Sequence, residues 1–133
     1  MKSAIWVHFP CVTHTKVWNS YRWVSRSCSL ALYLRSDQAG KNRFSGTHRG
    51  MANVGPMLGA MMEVSKGTFA ITRAEHYMAS GDWVAITVEF AGEANGIKLK
   101  QAGVDLIRID DGKIVEVRLF SSDQQQEDAF WGQ

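Results

Sequence analysis

The chain has 133 residues, 45% of them hydrophobic and 21% charged, with a formal net charge of +2. That length and balance suit one globular domain with a core of its own. They argue against a helical membrane span, because no apolar stretch approaches the ~18 residues such a helix needs.

Within residues 1–10 the apolar run is short and is broken by His8 and Pro10, which does not make a signal peptide. Cys11 and Cys28 follow no metal-ligand spacing and are too few for a disulfide framework. They read as two reduced thiols of a cytoplasmic protein.

The net charge hides an asymmetry. Residues 1–50 hold eight Lys and Arg against one acidic residue, Asp37; residues 51–133 hold seven against twelve. Trp6, Trp18 and Trp23 also fall in the first stretch. A basic, aromatic arm of this kind is one way to bind an anionic partner. No nucleic-acid motif accompanies it, so solvated arginines on a helix are the simpler reading and a nucleic-acid partner is not expected.

In chain order, residues 1–12 suggest a short strand ending near Pro10. Over residues 13–35, Val17, Tyr21, Val24, Cys28 and Ala31 or Leu32 recur at helical spacing and predict an amphipathic helix. Residues 36–50, rich in Gly, Asn and Ser, read as a loop. A second helix is expected from about Asn53, with Val54, Met57, Leu58, Met61 and Met62 on one stripe, Pro56 in its first turn and Gly67 as its stop. A methionine stripe is most often plain core, but it also suits the wall of a pocket for a flexible apolar molecule.

Strands follow. Residues 68–79 alternate, with Phe69, Ile71 and Tyr77 on one side. Residues 83–91 alternate Val84, Ile86, Val88 and Phe90 against Ala85, Thr87 and Glu89. Residues 97–110 form a long strand, with Gly103 a candidate bulge or bend. Asp111-Gly112 then turns the chain into residues 114–120, because Gly tolerates the positive φ of a tight hairpin turn. Ser122-Asp123-Gln124-Gln125 is a capping-box pattern that predicts a last short helix carrying Phe130 and Trp131. Helices first and an antiparallel meander of at least four strands after them make the class α+β.

Several polar residues stand out. Asp105 shares a strand face with Gln101, Gly103 and Ile107, and Arg118 shares one with Glu116 and Phe120. If those faces turn inward, the polar groups line an apolar cavity, the usual layout of a small-molecule site. If not, they form cross-strand ion pairs on an outer sheet surface. His48 lies in a Gly-bracketed loop, and His76 lies on the strand face opposite Tyr77. There is no metal-ligand spacing, no phosphate loop and no nucleotide fingerprint, so neither metal nor cofactor is expected.

Gly46-Thr47-His48-Arg49-Gly50, Asp82-Trp83-Val84, Asp111-Gly112-Lys113-Ile114-Val115-Glu116-Val117-Arg118, Asp123 and Phe130-Trp131 occur in that order. Over about residues 40–132 the chain resembles the SnoaL-like branch of the nuclear transport factor 2-like superfamily, related to ketosteroid isomerases and limonene epoxide hydrolase. The first 38 residues depart from that pattern.

The resemblance implies a cone-shaped α+β barrel, its strongly curved sheet enclosing an apolar pocket, in a homodimer. It also implies a polyketide-, steroid- or terpenoid-like ligand and cofactor-free proton transfer of isomerase, cyclase or hydrolase type. Asp123 would serve as acid or base, with a histidine (His48 or His76) or Arg118 polarising the substrate oxygen. Arg118, Asp105, Gln101, Phe120, Met61 and Trp83 would contact it, and an Asp-Arg-Asp cluster would be similar to that of the epoxide hydrolases. The alternative on the same scaffold is a non-catalytic dimeric binding module.

Overall fold

The structure, a computed structural model, describes the backbone of residues 10–17, 20–27 and 29–133, and side chains from Tyr33 onward. The expectations for residues 1–9 and for the Cys11 and Cys28 thiols lie outside the described residues.

The first helix is not formed. In its place are two antiparallel strands, β1 (Pro10–Val17) and β2 (Ser20–Ser27), and the start of β3 (Ser29–Gln38). The sequence explains the difference. Val12, Thr13, Thr15, Val17, Tyr21, Trp23 and Val24 are β-branched or aromatic, and Leu30, Leu32 and Leu34 alternate at period two. A helical spacing picked from such a run is a coincidence of many apolar residues.

The loop expected over residues 36–50 is also shorter than read. β3 continues to Gln38, and β4 (Gly46–Arg49) returns antiparallel beside it.

Helix α1 (Met51–Val64) begins two residues before Asn53, so Pro56 lies in its second turn rather than its first. The missing N–H there removes one bond that would close on Ala52. Beyond the C-terminus Gly67, at φ 76°, donates its N–H to Met62 O at 2.8 Å and turns the chain away as expected.

β5 (Ala70–Ser80), β6 (Trp83–Ala94), β7 (Ile97–Asp110) and β8 (Lys113–Ser121) form the meander. Asn95-Gly96 and Asp111-Gly112 both take positive φ at the two tight turns that join β6 to β7 and β7 to β8. The six-stranded sheet runs β4-β3-β8-β7-β6-β5. All its pairings are antiparallel except β3 with β8, which is parallel and needs the whole of the intervening chain as its crossover.

Gly103 does not make a bulge: β6 and β7 pair without interruption from Trp83↔Arg108 to Ala94↔Ile97. It marks a close approach instead. A Cβ there would lie 2.4 Å from Phe120 O and 2.9 Å from the Phe90 ring. Bulges fall on β5, between Ile71 and Arg73 and between Glu75 and Tyr77.

The sheet curves, and one face is the core. Val84, Ile86, Val88 and Phe90 of β6, Leu99 and Ile107 of β7 and Val117 of β8 are buried on it. Helix α1 covers this face with Val54, Met57 and Met61, and α2 (Gln124–Trp131) covers it with Phe130 and Trp131. Trp131 packs against Phe44, Phe69 and Phe130 with ring centres 5.2, 4.9 and 4.7 Å away. Aromatic pairs at these separations add roughly 0.5–1.5 kcal/mol each beyond burial, so this cluster holds α2 in place.

Candidate functional site

Strand register decides which polar side chains meet. Gln38, Leu119, Asp105, Ile86 and Tyr77 form one row across β3, β8, β7, β6 and β5 on the helix-covered, concave face. In the row on one side stand Ser36, Val117, Ile107 and Val84, with His48 opposite Ser36 at the sheet edge. On the other side Gly103 faces Ser121 and Val88. Gln101, paired with Phe90, lies one row further. Neighbouring strands are ~4.8 Å apart, so Gln38 is about 10 Å from Asp105.

Asp105 is 4% exposed and Gln101 8%. Both carry a buried polar atom with no hydrogen-bond partner among the described residues: Asp105 Oδ2 and Gln101 Nε2. Gln101 is otherwise well fixed. Its Oε1 accepts from the Asp123 backbone N–H at 2.8 Å and from Ser122 Oγ at 3.2 Å. A backbone N–H requires an acceptor, so the amide orientation is settled and an N–H donor is left facing inward. Buried polar groups are almost always paired, and an orphaned acceptor and an orphaned donor on one strand face call for an explanation.

Burial first, and the negative charge of Glu127 after it, push the Asp105 carboxyl up to about 7. Glu127 is half-buried on α2 and accepts from three donors. They are the Ser121 hydroxyl, Gln124 Nε2 at 3.4 Å and the Trp131 indole N–H at 3.4 Å. Ser121 is the diagonal neighbour of Asp105, since it pairs with Gly103 while Asp105 pairs with Leu119. No Lys or Arg occupies an inward strand position among the described residues, and neither α1 nor α2 contains one.

Asp123, expected as the pocket acid or base, is the N-cap of α2. It is exposed, and its carboxylate accepts from Gln126 N–H at 3.0 Å. The cap itself is Asp123 rather than Ser122, one residue later than the capping-box pattern placed it. His48 does reach the concave side, half-buried, with Nε2 2.9 Å from Phe44 O. His76 is exposed at a β5 bulge with φ 45°, bonded to Thr87 Oγ1 at 3.2 Å on the convex side. Met61 is buried core.

Arg118, Phe120 and Trp83 also face away from the concave side. Arg118 bonds Glu116 at 2.9 Å and approaches Asp37 at 3.5 Å. Glu116 is 7% exposed and also meets Arg108 at 3.4 Å. Both guanidinium groups stand over Trp83, at 5.9 and 5.8 Å from its ring centre. Arg118 and Asp105 therefore lie on opposite faces of the sheet, and no Asp-Arg-Asp cluster forms. Phe120 is 52% exposed and borders an open groove of about 460 Å³ on the convex face, with Arg73, Glu75, Glu89 and Val104. Neither Asp105 nor Gln101 lines that groove.

Of the residues singled out in the sequence, the fold thus gathers Asp105, Gln101, Met61 and His48 on the concave side. It adds Ser36, Gln38, Ser121 and Glu127, which were not singled out. Glu127 had a legible signal: with Phe130 and Trp131 it makes an i, i+3, i+4 stripe, so it turns the same way as the two buried aromatics.

The chain that forms this curved sheet matches a known domain. The SnoaL-like domain family matches residues 33–117. The chain belongs to the SnoaL-like domain family. No curated protein matches it. Among solved structures, a protein of unknown function with a cystatin-like fold from Xanthomonas campestris is 73% identical. The match covers 78% of this chain and 81% of that one, with a TM-score of 0.77. Bal32a, from a soil-derived mobile gene cassette, is 21% identical over 77% of this chain and 79% of its own, with a TM-score of 0.72. TerC, co-crystallised with polyporic acid, is 16% identical over 77% and 79%, with a TM-score of 0.66. The last two show likeness of fold. No helix of the described residues is long and apolar enough to cross a membrane.

Proposed function

We propose that this SnoaL-like domain binds a neutral, largely apolar carbonyl compound in its cone and moves a proton on it, with Asp105 as the acid–base group. The observation that carries the reading is the pair of orphaned atoms on β7: a buried carboxylate oxygen and, four residues earlier on the same face, a buried amide N–H. A carboxyl raised to about 7 is present in both forms near neutral pH, which a proton shuttle needs.

The ionised form removes a proton from the carbon beside a carbonyl, and the C–H electron pair passes into an enolate. The protonated form returns that proton to a second carbon of the same molecule. Nothing is gained or lost overall, so the result is an isomer and no cofactor is called for. Gln101 Nε2–H supplies a donor for the enolate oxygen. The absence of inward Lys or Arg among the described residues favours a neutral ligand over an anionic one. Met57 and Met61 offer adaptable apolar wall.

The test is deuterium exchange into 2-tetralone, a neutral enolisable ketone, followed by NMR in D₂O. The wild type is expected to accelerate exchange at the carbon beside the carbonyl, and Asp105→Asn to lose that acceleration by ~10²-fold or more. Equal exchange with and without protein would leave a binding domain without this chemistry.

A second reading concerns assembly. Met78 and Phe120, 57% and 52% exposed, stand on the uncovered convex face beside the Arg73–Glu75–Glu89 cluster. Large exposed apolar side chains on an uncovered sheet favour pairing with a second copy. Sedimentation of Phe120→Lys tests it: a dimer for the wild type and a monomer for the variant are expected.

A further inference from the structure

The search for unused groups returns to Glu127, a carboxylate that the proton transfer above does not consume. It lies on α2 beside the site and accepts from three side chains. Ser121 on β8, Gln124 one turn earlier and Trp131 one turn later all donate to it. Trp131 is 1% exposed and locked in the aromatic cluster, and Ser121 is fixed by its pairing with Gly103. A carboxylate held from three directions cannot swing into the cone to act as a base. It can act through its charge.

The groups that face Asp105 are few. On its own strand, Gln101 and Gly103 are neutral. β8 turns Leu119 and Ser121 inward, while Glu116 and Arg118 point to the convex side. β6 presents Ile86 and Val88, and β5 presents Tyr77 in the same row. β3 and β4 bring Ser36, Gln38 and His48, with His48 tied to Phe44 O at 2.9 Å. From α1 no charged side chain is buried, and its one acid, Glu63, is exposed. On α2, Asp123 is exposed and Asp128 is bonded away to Lys41 N–H and Asn42 Nδ2. Among the described residues, Glu127 is the charge on this side of the sheet that bears on Asp105.

We infer that Glu127 is a positioning residue of this site: anchored by Ser121, the diagonal neighbour of Asp105 on the sheet, and by Gln124 and Trp131, its negative charge adds to burial in holding the proton on Asp105. The inference rests on the proposed role of Asp105 and deepens it. Among the described residues no Lys or Arg turns inward to offset the Glu127 charge, so the buried, unpaired Asp105 carboxyl keeps its proton until the pH approaches neutrality. Without Glu127 the site would still hold a buried acid, but one that ionises earlier and protonates substrate less readily.

The experiment is a ¹³C NMR titration of the Asp105 carboxyl between pH 4 and 9 in the wild type, Glu127→Gln and Glu127→Asp. The wild-type midpoint is expected near 7. Glu127→Gln should lower it by ~1 unit while burial still holds it above the free value. Glu127→Asp keeps the charge and should restore most of the wild-type midpoint. Should Glu127→Gln not fold, Glu127→Met removes the charge at similar length and is read in the same way.

An unchanged or higher midpoint in the uncharged variant would overturn the role of Glu127. Exchange into 2-tetralone, measured on the same samples, separates the two ideas. Absent exchange with the midpoint shift intact overturns the proton-transfer reading alone. A missing midpoint shift with exchange intact overturns the Glu127 inference alone.

Discussion

The backbone N–H of Asp123 donates to Oε1 of Gln101 at 2.8 Å, and this bond ties the first turn of α2 to the middle of β7. It fixes two things at once. It closes the end of the barrel where Phe130 and Trp131 enter the core. It also leaves the other end of the Gln101 amide, its N–H donor, buried without a partner among the described residues. Gln101→Leu should therefore leave the Asp123 N–H unpaired and lower stability by about 1–3 kcal/mol in urea unfolding. Gln101→Glu keeps the acceptor for that N–H and removes the inward donor. With a second carboxyl buried on the face of Asp105 it should lose stability as the pH rises, and at low pH, where it folds, lose affinity for neutral ketones in calorimetric titration.

Asp105 gives the pH dependence. Its carboxyl is raised from the ordinary 3.8 to about 7 in the folded chain. Between these values the folded protein holds a proton that the unfolded chain has released. Stability therefore falls as the pH rises from about 4 to 7, and the full penalty is present above 7. Asp105→Asn has no such charge to bury. It should be more stable than the wild type at pH 8, by up to about 4 kcal/mol, with the difference shrinking toward pH 4. Urea unfolding at pH 4.5, 6 and 8 checks this. A constant difference across the range would show that Asp105 ionises as readily in the folded chain as outside it.

Asp123→Ala removes a helix cap and should cost about 1 kcal/mol of stability, read from the same unfolding curves. Its carboxylate is exposed and turned onto Gln126 N–H, so ligand affinity should not follow the loss. Asp105→Asn and Asp123→Ala thus have opposite signatures: binding and chemistry for the first, stability for the second.

Gly103→Ala tests the close approach of β7 to β8. The new methyl would sit 2.4 Å from Phe120 O, a backbone atom that cannot move without shifting β8. A loss of about 1–3 kcal/mol is expected. The Asp105 midpoint should change with it, because Ser121 is the partner of Gly103 and holds Glu127.

Much of this was legible in the sequence, for identifiable reasons. β6, β7 and the two Asx-Gly turns were plain because alternation and turn chemistry agree there. Phe130 and Trp131 stood out as anchors of a terminal helix. The first helix was misread because residues 13–35 contain so many apolar residues that two periods fit, and pairing between strands decides such cases. The parallel β3–β8 contact joins residues some 80 positions apart and leaves no local trace. The site was half legible. Period-two reading put Asp105 and Gln101 on one face of β7 and Arg118 with Glu116 on one face of β8, and left open whether those two faces coincide; in the fold they lie on opposite sides of the sheet. Which face turned inward was fixed only by where α1 and α2 dock. Asp123 was favoured over Asp105 because its place past the last strand fitted the family pattern. In the fold that place is a helix start, where a carboxylate finds backbone N–H groups in solvent.

The most direct measurement is the pH dependence of deuterium exchange into 2-tetralone for the wild type, Asp105→Asn and Asp123→Ala. The expected result is a wild-type rate that rises to a plateau with a midpoint near 7, the same profile in Asp123→Ala, and a flat, near-background rate in Asp105→Asn. A profile that survives Asp105→Asn, or disappears in Asp123→Ala while the protein stays folded, would contradict the assignment of the proton transfer to Asp105.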